Sequence, residues 1–300
     1  MFAGEVASEN KIGSYYTGRN GVFALKVAIQ GELGSNSHMA TVEMLGNQNG
    51  LEIVACTVSA QVLARVVEGE VDSAVLPIEN SLHGSVAEHY DLLLELPVRI
   101  DGESLLRIRH NVIAMPGMKL KDVRKVMSHP VALSQCRKFL AGHPEFEVVP
   151  FYDTAGSVKH LMGGGLRDVA GIAPELAATV YGAEVLLAGV EDHAENYTRF
   201  HLLRREDTAV GWGSAADVNK MSLAFAIEHR PGTLVAALQR LADAGVDLTK
   251  IESRPVPGSP WEYVFYVDVR FETAERAEAA LAALRQHCRM VKVLGRYSAA

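Results

Sequence analysis

The chain of 300 residues is 48% hydrophobic and 22% charged, enough apolar material for two or three folding units and too much for a disordered chain. Its formal net charge of −7, sequence pI near 5.9 and scattered Lys and Arg leave no basic stripe for nucleic acid. Cys56, Cys136 and Cys288 are odd in number and lack metal-ligand or disulfide-framework spacing, so they read as buried thiols in a reducing compartment. No apolar run approaches the roughly 18 residues of a membrane span, and the start lacks the order of a signal peptide. A soluble, cytoplasmic protein without membrane partners is expected.

In chain order, residues 1–25 are polar, Gly-rich and aperiodic and read as a flexible extension. From Leu25 strands and helices alternate. "LKVAIQG" leads to helical "SHMATVEML", and "LEIVACT" to "SAQVLARVVEGE". "VDSAVLPIEN" is a buried strand ending near Ile78, followed by helical "GSVAEHYDLLLEL". Then come "LRIRHNVIAMPG", "KVMSHP" with helix "VALSQCRKFLAGH", "FEVVPFYD" with "TAGSVKHLMGGG", "DVAGIAP" with "ELAATVYG", and "AEVLLAGV". This alternation predicts an α/β domain of mostly parallel strands, with ligands at strand carboxyl ends against helix amino termini. "RREDTAVGWGSAADVNK" has no period and reads as a linker over 206–219. Beyond it the order is β-α-β-β-α-β, a ferredoxin-like unit over 220–297 whose edges and open sheet face predict self-association.

Hydroxyls gather at three expected helix starts. Ser85 with Glu88 has the form of a capping box after a loop holding Glu79, Asn80 and Ser81; Asn36, Ser37 and His38 follow the first strand; Thr154 and Ser157 open a later helix. Each could be a cap, or together they could line one anion site. No HExxH, Gly-x-Ser-x-Gly, GxGxxG or P-loop occurs, which argues against a metal, a serine nucleophile, redox chemistry and phosphoryl transfer. There remains a cofactor-free site of hydroxyls, amides and an arginine, with Thr198 beside Arg199 in "ENYTRFHLL". Taken alone, the pair is equally a β-branched strand former next to a surface charge.

Five motifs in order, "VLPIENSLHGSV", "MSHPVALSQCRKFL", "NYTRF", "RPGTLVAAL" and "LTKIESRPVPGSPWEYVFYVDV", resemble the monofunctional prephenate dehydratase family from about Lys26 to Tyr297. The resemblance implies a dehydratase domain over 26–205, with a type II periplasmic-binding-protein-like fold in two lobes (about 26–103 with 188–205, and 104–187), then an ACT regulatory domain over 220–297. Where the family commonly has Gly-Thr-Phe-Ser, this chain has "GSNS" at 34–37, which keeps Ser37. The implied activity converts prephenate to phenylpyruvate, expelling CO2 and water, for phenylalanine biosynthesis, without a cofactor. Thr198 is then expected to be the catalytic proton donor to the leaving hydroxyl. An arginine on the ring carboxylate would stabilise the charge that must vanish as CO2, so Arg199 is expected on the pyruvyl carboxylate. Phe200 would exclude water; Asn80, Ser81, Ser85, Ser37 and, more weakly, Thr154 would hold the substrate. His129 and Gln135 are expected in packing or lobe contact, and Glu79 turned away from a dianion or hydrogen-bonded elsewhere.

By the same resemblance, L-phenylalanine is an effector held by Gly232, Thr233 and Leu234 at a helix start and by Glu252, Ser253 and Arg254, in a pocket between subunits of a homodimer or homotetramer. Arg254 could equally be a surface charge. A chain lacking everything after about Asp217 is expected to stay active and to ignore phenylalanine. An arogenate dehydratase shares these motifs, and a non-catalytic small-acid binding protein is the alternative of another class.

Overall fold

The computed structural model describes residues 25–46, 50–208, 217–256 and 262–300. The expected N-terminal extension, most of the expected linker and most of the turn "PGSPWE" lie outside the described residues. The described residues form two compact units: 25–85 with 104–200, and 86–103 with those from 201 onward.

The first stretch runs β1 (Leu25–Gln30), α1 (Asn36–Leu45), β2 (Leu51–Cys56), α2 (Ser59–Val67), β3 (Ser73–Asn80), β4 (Gly84–Ser85), α3 (Ala87–Glu95) and β5 (Val98–Arg107). It continues with β6 (Asn111–Ala114), β7 (Lys125–Ser128), α4 (Pro130–Ser134), α5 (Arg137–Ala141), β8 (Glu147–Pro150), α6 (Thr154–Gly163), β9 (Val169–Ala173), α7 (Glu175–Tyr181), β10 (Glu184–Leu187) and β11 (Tyr197–Arg205). The last stretch is β12 (Lys220–Ala226), α8 (Thr233–Asp243), β13 (Asp247–Pro255), β14 (Tyr263–Arg270), α9 (Ala274–His287) and β15 (Met290–Tyr297).

In the unit holding β1, that strand lies between β2 and β3 and pairs parallel with both. Val27, Ala28 and Ile29 are fully buried, as a parallel strand covered on both faces requires. Helix α2 turns Val62, Leu63 and Val66 inward at helical spacing. The next strand after β3 in the sheet is β11. A second sheet has the order β10-β6-β9-β7-β8, with β7 parallel to β8 and β9 and β6 antiparallel to β9 and β10. Helix α6 packs so tightly on β9 that a Cβ at Gly171 would lie 2.6 Å from Ser157 Oγ.

The other unit carries the sheet order β13-β14-β12-β15, with β5 next to β15. Helices α8 and α9 cover one face, burying Ala237, Leu241, Ala280, Leu281 and Leu284 against Leu223, Phe225 and Val267. Strands β5 and β11 contribute residues to both units.

Several local expectations need correction. Strand β3 continues through Glu79 and Asn80, because the turn after it folds back and pairs Glu79 with Ser85 and Asn80 with Gly84. Ser85 is therefore a strand residue, and the N-cap of α3 is Val86, without a side-chain cap bond. Ser35 caps α1, accepting from His38 N; Asp153 caps α6, accepting from Gly156 N at 2.7 Å. The helix expected after Pro130 is broken into α4 and α5 at Gln135 and Cys136. Cys56 and Cys136 are buried and Cys288 half-buried. Burial pushes the Cys136 thiol to about 12 and that of Cys288 to about 11, which keeps both as inert thiols.

Candidate active site

Strand β11 begins where β3 ends. The backbone N–H of Ser81 donates to Tyr197 O at 2.8 Å, while Ser81 Oγ accepts from Tyr197 N at 3.0 Å and donates to Glu195 O at 3.3 Å. Ser81 thus braces the entry to β11. Asn80 ends β3 with its Oδ1 accepting from Leu82 N and His83 N, both at 3.0 Å, the Asx-turn that its side chain favours. That geometry fixes the amide, so Nδ2 is the donor to Asn196 Oδ1 at 2.8 Å and Thr198 Oγ1 at 2.9 Å, with Tyr197 O a longer third acceptor at 3.1 Å.

Side chains alternate along a strand, and the pairing of β3 with β11 follows that rule. Asn80 meets Thr198 on one face, while Glu79 and Arg199 meet on the other, 3.9 Å apart. Thr198, Arg199 and Phe200 are all buried, Phe200 almost completely. Glu79, expected to be turned away from a dianion or hydrogen-bonded elsewhere, stands beside Arg199. The guanidinium beside it, on the neighbouring strand, gives the carboxylate a counter-charge.

Behind Thr198 stands a hub absent from the expected site. Gln135 Oε1 lies 2.9 Å from Asn196 Nδ2 and 2.7 Å from His110 Nε2, and Gln135 Nε2 lies 3.0 Å from His83 Nδ1. Gln135, Asn196 and His110 are each more than 90% buried, so Gln135 does more than pack. Asn196 could have been found in the sequence, since a residue two before Thr198 shares its strand face. His129, by contrast, caps α4, accepting from Val131 N at 3.3 Å.

The other expected hydroxyls stand at the loop after β1. As β1 and β3 are parallel neighbours, this loop and the one after β3 leave the same end of the sheet, where α/β folds bind ligands. Ser37 is buried in α1. Gly31, with φ 96°, admits Asp153 Oδ2 to within 2.7 Å of where a Cβ would stand, so the start of α6, with Thr154, approaches this loop. Tyr152 Oη and Lys159 Nζ both donate to Glu32, at 2.9 and 2.8 Å. Burial pushes the Glu32 carboxyl up, but these bonds outweigh it and leave the group below its ordinary range.

In the C-terminal unit a cavity of about 230 Å3 is lined by Gly232, Thr233 and Leu234 together with His229, Tyr263 and Phe265. Gly232 has φ 85°, and α8 starts directly after it, so backbone N–H groups open toward the cavity edge. Glu252, Ser253 and Arg254, expected in the same pocket, are not among its lining residues. They lie on β13, where Arg254 instead forms a two-pronged ion pair with Asp91 of α3, at 2.6 and 3.2 Å.

A mixed α/β part with a buried hydroxyl–amide cluster is followed by a ferredoxin-like unit with a small cavity at a helix start. Residues 27–208 match prephenate dehydratase and residues 222–289 match the ACT domain. The chain is 38% identical over 284 residues to arogenate dehydratase/prephenate dehydratase 2 of Arabidopsis thaliana, covering 91% of this chain and 72% of the relative. It is 32% identical to the bifunctional chorismate mutase/prephenate dehydratase of Aquifex aeolicus (strain VF5), covering 91% and 73%. Among solved structures, prephenate dehydratase of Arthrobacter aurescens in complex with L-Phe superposes with TM-score 0.81 at 30% identity, covering 91% of this chain and 90% of that one. A chain described as GqqA, a novel type of quorum quenching acylase, also gives 0.81, at 32% identity, covering 92% and 98%. The chain belongs to the prephenate dehydratase family and is a dehydratase with a C-terminal ACT domain.

Proposed function

We propose that the protein acts on prephenate, removing CO2 and water to give phenylpyruvate, and that phenylalanine bound by the ACT domain restrains it. The observation carrying the first part is the buried Thr198 hydroxyl, which accepts from the Asn80 amide at 2.9 Å and so has its own proton free to donate. As the ring carboxylate leaves as CO2, its C–C electrons enter the ring and the C–O bond to the hydroxyl breaks. The Thr198 proton moves onto the departing oxygen to give water, and the threonine oxygen recovers a proton from solvent, so each turnover takes up one solvent proton. A threonine is a weak acid, and burial among fixed dipoles is what makes the donation effective. Arg199 is assigned to the pyruvyl carboxylate, exchanging its contact with Glu79 for the substrate's charge.

An acylase reading has one feature in its favour, the series Ser134, His83 and Gln135, with His83 Nε2 3.3 Å from Ser134 Oγ. Its polarity is wrong for nucleophilic catalysis. Gln135 Oε1 is already an acceptor for Asn196, so its Nε2 donates to His83 Nδ1. The His83 proton therefore sits on Nε2 and faces the serine, whose own proton goes to Val131 O at 2.7 Å; a base needs the reverse.

The regulatory part of the proposal is supported by the cavity at Gly232–Leu234, and self-association through the open sheet edge remains part of it. Incubating the purified protein with prephenate and with arogenate, and following phenylpyruvate and phenylalanine, tests the substrate. Turnover of prephenate is expected. Phenylalanine formed from arogenate alone would move the assignment to the arogenate branch, and turnover of neither would overturn it.

A further inference from the structure

His110 is a fully buried imidazole with no part in the chemistry so far. Its ring contributes Nε2 to Gln135 at 2.7 Å, and Nδ1 has no hydrogen-bond partner among the described residues. The direction of every bond between it and Thr198 can be fixed from one end. Asn80 Oδ1 accepts two backbone N–H groups, so Asn80 Nδ2 must donate to Asn196 Oδ1. Asn196 Nδ2 must then donate to Gln135 Oε1. With that oxygen an acceptor, His110 Nε2 must carry a proton. Nothing in the series can be reversed without setting two donors against each other.

We propose that His110, fixed as the neutral Nε2–H tautomer, is a positioning residue for Thr198: with Gln135 and Asn196 it holds a chain of side-chain amides in one polarity, so that Asn80 donates to Thr198 Oγ1 and the threonine proton is left for the departing hydroxyl. The tautomer and the polarity stand on the geometry alone; the last clause rests on the dehydratase reading above. The chain is a clamp and not a proton wire, because an amide has no labile proton to pass on without becoming an imidic acid. His110 therefore acts by staying neutral.

Its surroundings favour that state. Protonation would place a second N–H at Nδ1, buried without an acceptor. Burial depresses its pKa below the ordinary histidine range, against smaller upward pulls from Gln135 and Glu191. Glu191 accepts the His110 backbone N–H at 2.9 Å, Asp192 is held by the backbone N–H groups of Arg137 and Lys138, and His83 lies beyond Gln135.

Nitrogen-15 NMR of the full-length chain, with the His110 signals assigned by their loss in His110→Gln, reads the state directly. A neutral Nε2–H pattern unchanged between about pH 5.5 and 9 is expected; an Nδ1–H tautomer or protonation above about pH 6 would overturn the proposal. Kinetics supply the second arm. His110→Leu should lower kcat about tenfold or more with KM within about twofold, and His110→Gln, which returns a donor at the Nε2 position, should recover most of the loss. Equal losses in both variants, or a KM rise matching the kcat fall, would reduce His110 to a packing residue. If His110→Leu does not fold, the NMR arm and His110→Gln still decide. Failure of the wild-type chain to turn over prephenate or arogenate would overturn the dehydratase reading and leave the tautomer to be judged by NMR alone.

Discussion

Thr198 and Arg199 are neighbours in sequence and on opposite faces of β11, so one substitution at each separates chemistry from binding. Thr198→Ala removes the donor while leaving Asn80 its bonds to Asn196 and Tyr197. The variant is expected to fold and bind substrate, with kcat lower by about a hundredfold or more; turnover near the wild-type level would remove Thr198 from the mechanism. Arg199→Lys keeps a charge for Glu79 but loses the fork, and a several-fold rise in KM is expected. An unchanged KM in steady-state assays would remove Arg199 from substrate binding. The histidines give a pH prediction. Burial lowers the pKa of His38 and of His110 from 6.5, so the unfolded chain binds protons that the folded chain refuses. Stability from this source is fully present above about pH 6.5 and is lost as pH falls toward the folded values. Urea melts of the wild-type chain and of His110→Gln across that range should show the wild type losing more stability on acidification; parallel curves would contradict it. The Thr-Arg pair was legible in the sequence because a hydroxyl and a guanidinium beside an apolar run invite a chemical reading. The hub behind it was not, because Gln135 meets residues 25 and 61 positions away and Asn80 meets Asn196 across 116, distances over which no local pattern speaks.

At the scale of elements, α3 is held to the ACT sheet along its length. Asp91 pairs with Arg254, Tyr90 and Tyr266 rings lie 5.1 Å apart, and Lys250 stands 5.5 Å from the Tyr90 ring. Lys292 Nζ donates to the carbonyls of Leu93, Leu94 and Leu96, a cation closing the free carbonyl end of a helix. Helix α3 begins two residues after Ser85, the partner of Glu79 in the turn that carries Asn80. Asp91→Asn should leave uninhibited kcat within about twofold but weaken phenylalanine inhibition about fivefold, the worth of about 1 kcal/mol for a two-pronged pair at partial exposure. Inhibition curves that superimpose on the wild type would show that α3 carries no signal. The order of strands and helices was legible, since the switches between periods of two and 3.6 mark them. The hairpin of β3 and β4 was hidden because Ser85 followed by Glu88 imitates a cap, and a two-residue strand has no period. Arg254 was assigned to the phenylalanine pocket for lack of any sign that a helix some 160 residues earlier competes for it.

For the whole molecule, the same contacts decide whether the catalytic part can stand alone. Residues 86–103 lie in the compact unit formed with the ACT domain, and β5 takes Gly295 of β15 as a partner at Ile100. Gly295 has no room for a side chain, since a Cβ there would stand 2.2 Å from Ile100 O. Glu103 forms a buried ion pair with Lys220, both oxygens 2.9 Å from Nζ, with side-chain exposures of 2% and 7%. Lys220→Met removes the countercharge while filling much of the space, so its cost falls on a buried carboxylate that keeps its bond from Ala300 N but loses its cation, about 3 kcal/mol. Denaturant melts that show no loss would mean the carboxylate is reached by water. Deleting residues 209–300 removes Lys220, the β15 partner of β5 and the Lys292 cap of α3 at once, leaving a sheet edge and an apolar helix face uncovered. The active, phenylalanine-indifferent fragment expected from the sequence should therefore not be recovered intact. A truncated chain should aggregate, or melt about 10 °C or more below the full chain, with turnover falling in step. Calorimetric melting and turnover measured on one preparation decide this: a monodisperse fragment that melts with the full-length chain and turns over at its rate would show that residues 86–103 find their fold without the ACT domain.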